Sequence, residues 1–393
     1  MDSIFSVGGV QRVTAVIAKE LAREHDVTIL TFDAPEAQDT TLYGLDEADI
    51  NYCFFQYPRV GWLRNLFCKT YSAFYKTAVR ICRQLLPLSK FFSFLYSHSS
   101  FPAPCRKVLA RQLNDGHYDV IIGVHAPLAA RLATMRPLLN KGVHCIGWIH
   151  NSFEALFGPT SLYIGPVLKR HYVYQFQKLD DTIVLCHDDA NRFNRYDAAF
   201  RPSVIYNPLT LQPGIPSEGS SRRFLAVGRF TYMHKGIDLL IEAFHLFARN
   251  NADWCLDIVG EGPEGQKYRD MIAQYGLEQR IAIYPFTKQI QSYYHQAQVY
   301  VLSSRWEGMP LVLVEAMSHG LPVISSDLPV CKEIMGSAAF YFENGNVEQL
   351  AQRLQEATQM DWPEKSTEAL SVASRFNIET IIRLWIKIIS EPV

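Results

Sequence analysis

Two carboxylates, Glu307 and Glu315, stand eight positions apart in RWEGMPLVLVEAMSHGLPVISSD, which runs from Arg305 to Asp327. Before them Val299–Ser303 (VYVLS) is a short apolar run of strand composition. Trp306–Pro310 carries the breakers Gly308 and Pro310. Leu311–His319 has helical composition, Gly320 is its stop, and Pro310 suits the first helical position. Leu321–Ser325 reads as a second buried strand. The spacing predicts a strand–loop–helix joint with Glu307 at the mouth of a sheet and Glu315 on the first turns of a helix. Helix N-termini favour anions, so carboxylates kept there point to a ligand rich in hydroxyls as well as phosphate.

Cations stand at a second joint. GRFTYMHKG, Gly228–Gly236, follows the strand FLAV, which places Arg229 and Lys235 just beyond a strand's carboxyl end. Open α/β sheets bind ligands there. A planar guanidinium fork and a compact ammonium suit a diphosphate; the plain alternative is two solvated surface cations. Gly8 and Gly9 precede a helix and let backbone approach a ligand, although position 13 is Val and the dinucleotide fingerprint is absent. His150 follows the strand HCIGWI and His125 follows DVIIGV, so either could reach a crevice at a sheet mouth. Asn207-Pro208 reads as a turn. No GxxxxGK[ST], HExxH or GxSxG occurs, which removes the common nucleotidase, zinc-protease and α/β-hydrolase readings.

These residues need a frame. Helices are expected at Gly8–Arg23, Ala126–Leu139 and Pro166–Leu179, alternating with strands at Asp26–Phe32, Tyr118–Val124, Val143–Ile149, Asp181–Leu185 and Ser203–Tyr206. A second series follows: Arg223–Val227, Ile237–Ala248, Trp254–Val259, Glu264–Tyr275, Ile281–Tyr284 and the carboxylate joint. Strands alternating with helices argue an α/β class with parallel sheets. At 393 residues two domains are expected: 1–206, then a Pro-, Gly- and Ser-rich linker 207–222, then 223–375, with 376–393 as a terminal helical segment.

Lys plus Arg total 38 and Asp plus Glu total 39, a balance that argues against a general nucleic-acid binder. Eight scattered cysteines form no CxxC or Cys/His cluster, so no zinc site is expected and a reducing cytoplasm fits. No signal peptide and no bilayer-length apolar run is visible, and the chain reads as soluble or peripheral. Residues 50–114 are abnormal: no Asp or Glu, ten Lys or Arg, and fourteen aromatics. Residues 62–86 can form an amphipathic helix. A helical insertion packing on its own domain is one reading; a face for an anionic membrane is the other, and absence of acid over such a length favours it.

Taken together, GGVQR, WIHNSF, VGRFTYMHKGIDLLIEAF, VGEGPE and EGMPLVLVEAMSHGLPVISSD resemble the retaining glycosyltransferases of family 4, or group 1. The resemblance covers most of the chain and is most specific in the spacing of Glu307 and Glu315. It implies a GT-B fold, two Rossmann-like domains facing each other across a cleft, with the last helix, Ile378–Ile389, crossing back to the N-terminal domain. Glu315 would hydrogen-bond the ribose of a nucleoside-diphosphate sugar. Glu307 would orient the donor sugar and stabilise charge at its anomeric carbon, and Arg229 and Lys235 would neutralise the departing diphosphate. Backbone at Gly8, Gly9, Met309, Pro310, Leu311 and Val312 would complete the donor region, with N–H groups of all but Pro310 touching phosphate and sugar. His150 would contact sugar or acceptor. No metal or other cofactor is expected, and retention would follow from front-face attack.

The implied activity is transfer of a hexosyl residue, from a UDP-sugar first of all, to a lipid-linked saccharide or polysaccharide precursor. That places the protein in cell-surface polysaccharide or lipopolysaccharide assembly, peripheral at the inner face of the cell membrane. A non-catalytic nucleotide-sugar-binding protein and a GT-B epimerase are the alternatives. One departure stands out. Only MDSIFSV precedes Gly8, so the first strand is expected to be short, irregular or missing.

Overall fold

Short β-branched runs that are apolar at nearly every position can only be strands covered on both faces, and parallel sheets are the structures that provide this. The computed structural model describes all residues except 59–60, 63–65, 68, 72, 75–76, 78–89, 160, 162, 213, 232–233 and 391–393. Its chain divides into two units: Met1–Tyr206 with Ile381–Val393, and Asn207–Thr380.

Among the described residues the second unit holds six strands: β7 (Arg223–Val227), β8 (Cys255–Val259), β9 (Ile281–Tyr284), β10 (Val299–Leu302), β11 (Val323–Ser326) and β12 (Ala339–Phe342). They lie in the order β12-β11-β10-β7-β8-β9, every neighbouring pair parallel. Phe224, Ala226, Leu256 and Ile258 face helices Ile237–Ala248, Gly265–Gln274 and Val347–Ala357 in one core, where Phe224 stacks on Trp254 at 4.5 Å. The order reverses between β7 and β10. Helices leaving those two strands go to opposite sides, which opens a crevice at their carboxyl ends.

The first unit holds β1 (Val27–Thr31), β2 (Ile50–Phe54), β3 (Val120–Val124), β4 (His144–Trp148), β5 (Asp181–Val184) and β6 (Ser203–Val204). They form two parallel sheets, β1-β2 and β3-β4-β5-β6. No strand forms in residues 1–7. Instead the Phe32 N–H donates to the Met1 carbonyl, and the Ile4 N–H donates to Asp33 at 3.0 Å. Side chains bridge what backbone does not: Leu30 and Phe32 share one apolar cluster with Ile121, Phe55, Leu109 and Met135.

Several expectations are corrected in detail. Ala126–Leu139 is helical only to Met135, because Pro137 cannot continue the ladder and the chain turns into a short 3-10 stretch, Arg136–Leu138. Pro166–Leu168 is likewise 3-10, and the α-helix is Lys169–Phe176. Pro310 sits just before the first helical residue, Leu311, rather than at it. Segment 207–222 is no free linker: Leu209 N–H donates to the Phe376 carbonyl at 2.7 Å and Ser217 N–H to the His319 carbonyl at 3.0 Å. Of the amphipathic helix expected over 62–86, much lies outside the described residues; Trp62 and Phe67 are helical and strongly exposed. No helix among the described residues is long and apolar enough to cross a membrane.

The last helix is Ile378–Ser390, and from Ile381 onward it belongs to the first unit. Trp385 is fully buried there, edge-on to Trp148 with ring centroids 4.7 Å apart.

Candidate functional site

The loops leaving β7 and β10 are stitched together by backbone. Arg305 N–H donates to the His234 carbonyl at 2.8 Å. His234 Nε2 lies 2.9 Å from the Trp306 carbonyl, so that nitrogen carries a proton, and its ring stacks on Trp306 with a 10° tilt. Ser303 Oγ donates to the Lys235 carbonyl at 3.0 Å. Gly236 stands at φ 61, and a Cβ there would collide with the Ser303 carbonyl, so this contact requires glycine. The Arg305 fork grips Asp238 at 2.9 and 2.8 Å, tying the β10 loop to the helix after β7.

Held by this stitching, Lys235 Nζ donates to Glu307 Oε1 at 2.6 Å, and Ser304 Oγ donates to the same oxygen at 2.6 Å. The two charged side chains are 14% and 7% exposed, so solvent screens them little. Burial alone would raise the Glu307 carboxyl. The charges of Lys235 and His234 and the hydrogen bonds from Lys235 and Ser304 outweigh it and hold that carboxyl below its ordinary value. His234, 3.9 Å from Glu307 Oε2, is pushed down mainly by burial. Arg229 is exposed at the same edge, with no ion-pair partner among the described residues. The pair occupies the switch point between β7 and β10.

Glu315 is 1% exposed on the helix Leu311–Ser318. Thr210 Oγ1 donates to Oε1 at 2.8 Å and Tyr294 OH to Oε2 at 3.1 Å. These two hydrogen bonds fix the orientation of the carboxylate. Asn207 N–H points at Met309 Sδ, 2.9 Å away, which seats the loop before the helix. The first N–H groups of that helix, at Leu311 and Val312, have no carbonyl four residues back within it.

In the first unit, His150 follows β4. It is 7% exposed, its ring lies 4.2 Å from Trp148, and its Nε2 has no hydrogen-bond partner among the described residues. Burial, then the charge of His125, pushes it far down, so the imidazole is neutral. His125, at the end of β3, lies 5.5 Å from it, ring to ring. Gly8 N–H donates to Tyr43 OH at 2.8 Å and is thereby engaged within the chain. Gly9 opens the helix Gly9–Leu21 and presents one of its unpaired N-terminal N–H groups.

Of the residues singled out from the sequence, Lys235 and Glu307 are brought into contact. Arg229, Glu315 and Met309–Val312 share their unit, while His150, Gly8 and Gly9 belong to the other. His234, Ser304, Thr210 and Tyr294 were missed. His234 stood beside Lys235 in GRFTYMHKG and could have been weighed. Thr210 lay in a segment read as a linker and carried no signal. Among the described residues no group of three or more His, Cys, Asp or Glu side chains is placed to hold a metal ion.

Residues 7–212 match the family described as Glycosyltransferase Family 4, and residues 211–374 match Glycosyl transferases group 1. The chain is 29% identical over 287 residues to an uncharacterized glycosyltransferase of Haemophilus influenzae, covering 71% of this chain and 78% of the relative. It is 24% identical over 359 residues to the amylovoran biosynthesis glycosyltransferase AmsD of Erwinia amylovora, covering 88% and 84%. Among solved structures it superposes on Anabaena HepE in complex with UDP and glucose, with a TM-score of 0.73, 19% identity, and coverage of 100% and 98%. At that identity the likeness is one of fold.

Proposed function

Because this chain belongs to glycosyltransferase family 4 and has the α/β GT-B fold, we propose that it moves a hexosyl residue from a UDP-sugar to a lipid-linked saccharide or polysaccharide precursor, with retention at the anomeric carbon. The observation that carries this reading is the Lys235–Glu307 pair at the β7/β10 switch point. A cation and a carboxylate fixed at the carboxyl ends of parallel strands match a ligand with a diphosphate at one end and hydroxyls at the other. AmsD, named for amylovoran biosynthesis, and HepE, solved with UDP and glucose, support the acceptor class and the donor.

In the proposed reaction the bond from the sugar's anomeric carbon to the diphosphate oxygen breaks. A bond from that carbon to an acceptor hydroxyl oxygen forms on the same face, and the hydroxyl proton passes to a donor phosphate oxygen. Negative charge grows on the leaving diphosphate, where Arg229 and Lys235 act more strongly than in the ground state. Glu307 faces the positive charge developing at the anomeric carbon. Glu315 takes the ribose hydroxyls, and His150, a neutral imidazole, binds sugar or acceptor. No metal has a part in these steps.

The test is UDP release from UDP-glucose, UDP-galactose and UDP-N-acetylglucosamine in EDTA, with and without alkyl glycoside acceptors, and NMR assignment of the product anomer. Turnover with a retained anomer is expected; an inverted product overturns the mechanism. Donor binding without UDP release favours a binding protein, and a changed sugar on an intact nucleotide favours an epimerase. Glu315→Gln is expected to raise the donor KM about tenfold with kcat nearly unchanged, because it removes one charge-assisted hydrogen bond. Its fold stays intact, since the Thr210 and Tyr294 hydroxyls can turn to accept from an amide.

The acid-free stretch of residues 50–114 is proposed as the face that meets an anionic membrane. Trp62, Phe67 and Phe74 are 72%, 68% and 62% exposed, which is unusual for aromatics and typical of interfacial anchors. The protein should sediment with phosphatidylglycerol vesicles and not with phosphatidylcholine vesicles. Replacing those three aromatics by Ser should abolish it; equal binding to both vesicles would sink the idea.

A further inference from the structure

His125 holds a backbone conformation that its side chain opposes. It stands at φ 78 and ψ 150, a region occupied almost solely by glycine, where a Cβ costs strain. Its surroundings fix it there. The His125 N–H donates to the Trp148 carbonyl at 2.9 Å, which continues the β3–β4 ladder by one residue. Its own carbonyl accepts from the Ala129 N–H at 2.9 Å, which opens the helix Ala126–Met135. Strand end and helix start thus dictate the conformation, and glycine would satisfy both at lower cost. An imidazole stands there instead.

Where that imidazole stands gives it work. It is partly exposed at the carboxyl end of a parallel sheet, 5.5 Å from the His150 ring, and the Asn151 side chain hydrogen-bonds it. His150 is nine-tenths buried and its Nε2 has no protein partner among the described residues. Two imidazoles side by side, one with an unspent ring nitrogen, form a polar cluster suited to a neutral hydroxylated ligand. A buried, unpartnered ring nitrogen costs free energy unless a ligand or water completes it.

We infer that His125 is a substrate-contacting residue, which with His150 hydrogen-bonds a hydroxyl of the saccharide acceptor. This rests on the glycosyl-transfer reading above. The chemical class is a sugar hydroxyl, because a neutral imidazole offers one donor and one acceptor, the complement of an O–H group. The backbone strain is retained for the sake of that contact.

His125→Gly tests it with two readouts that move in opposite directions. The donor and alkyl glycoside used are a pair from the panel above on which the parent protein turns over. Removing the strain should raise Tm by about 2–6 °C. Removing the contact should raise the acceptor KM or lower kcat, for a loss of about tenfold or more in kcat/KM. His125→Asn, which keeps a hydrogen-bonding group, should recover part of the loss. Raised Tm with full transfer overturns the inference, because the strain then serves nothing. A lowered Tm also overturns it, because the ring is then structural. Parent protein that turns over no donor removes the glycosyl-transfer reading itself, and this one with it.

Discussion

Lys235→Ala should unfold about 3–5 kcal/mol more easily than the parent at pH 7, and transfer should fall at least about 100-fold. The two losses have one origin. Deleting the ammonium leaves Glu307 buried beside Ser304 and His234, with the largest influence that offsets its desolvation gone. The pH dependence follows in sign. In the parent, the Glu307 carboxyl is held below 4.5, so the pair contributes stability above that range and loses it as pH falls through the folded value. In Lys235→Ala the largest influence opposing burial is gone and the carboxyl moves up, so the penalty is present at neutral pH and fades as acid protonates Glu307. Urea unfolding at pH 7 and pH 4.5 should therefore show the deficit shrinking. Replacing both partners, Lys235→Met with Glu307→Leu, should recover most of the stability and none of the transfer. A double variant that still transfers would remove both residues from the chemistry, and a deficit that grows in acid would refute the account of the pair.

Trp385→Ala should cost about 3–5 kcal/mol, concentrated in the first unit. The ring is fully buried and lies edge-on to Trp148, and Trp148 in turn lies 4.2 Å from His150. Truncation leaves a cavity one contact away from a proposed substrate residue, so transfer should fall together with stability. Trp385→Phe should cost much less, because it keeps an aromatic ring and the indole N–H has no partner among the described residues to lose. Hydrogen exchange locates the effect: amides of β3, β4 and β5 should exchange faster, while those of β7 and β10 stay as in the parent. Equal acceleration in both units would show that Trp385 serves more than its own core.

What could be read from the sequence, and what could not, divides along the range of the interactions. The joint at Glu307 was legible because Gly308, Pro310 and Gly320 are local punctuation, and β10 and β11 are short runs buried at every position. Lys235 was legible for the same reason, as a cation just past a strand. Its contact with Glu307 spans 72 positions: the resemblance placed both in one donor site, and the ion pair itself became visible only in the structure. Thr210 reaches Glu315 across 105 positions from a segment whose Pro, Gly and Ser content imitates a linker. Composition reports that such a segment is neither helix nor strand; it does not report what the segment packs against. The strain at His125 was not legible, because nothing in the composition of DVIIGVHAP marks a residue held where glycine belongs.

The placement of Trp385 also sets a timetable. A ribosome delivers the chain from its N-terminus, and domains ordinarily fold in the order in which they emerge. Here the first unit cannot cover Trp148 until Ile381–Val393 has been synthesised, by which time every residue of Asn207–Thr380 has already been made. The second unit is thus free to mature first, and the half-built first unit must wait with an apolar face uncovered. Late emergence of a core tryptophan makes translation itself, as much as thermodynamics, a determinant of how much active protein a cell obtains.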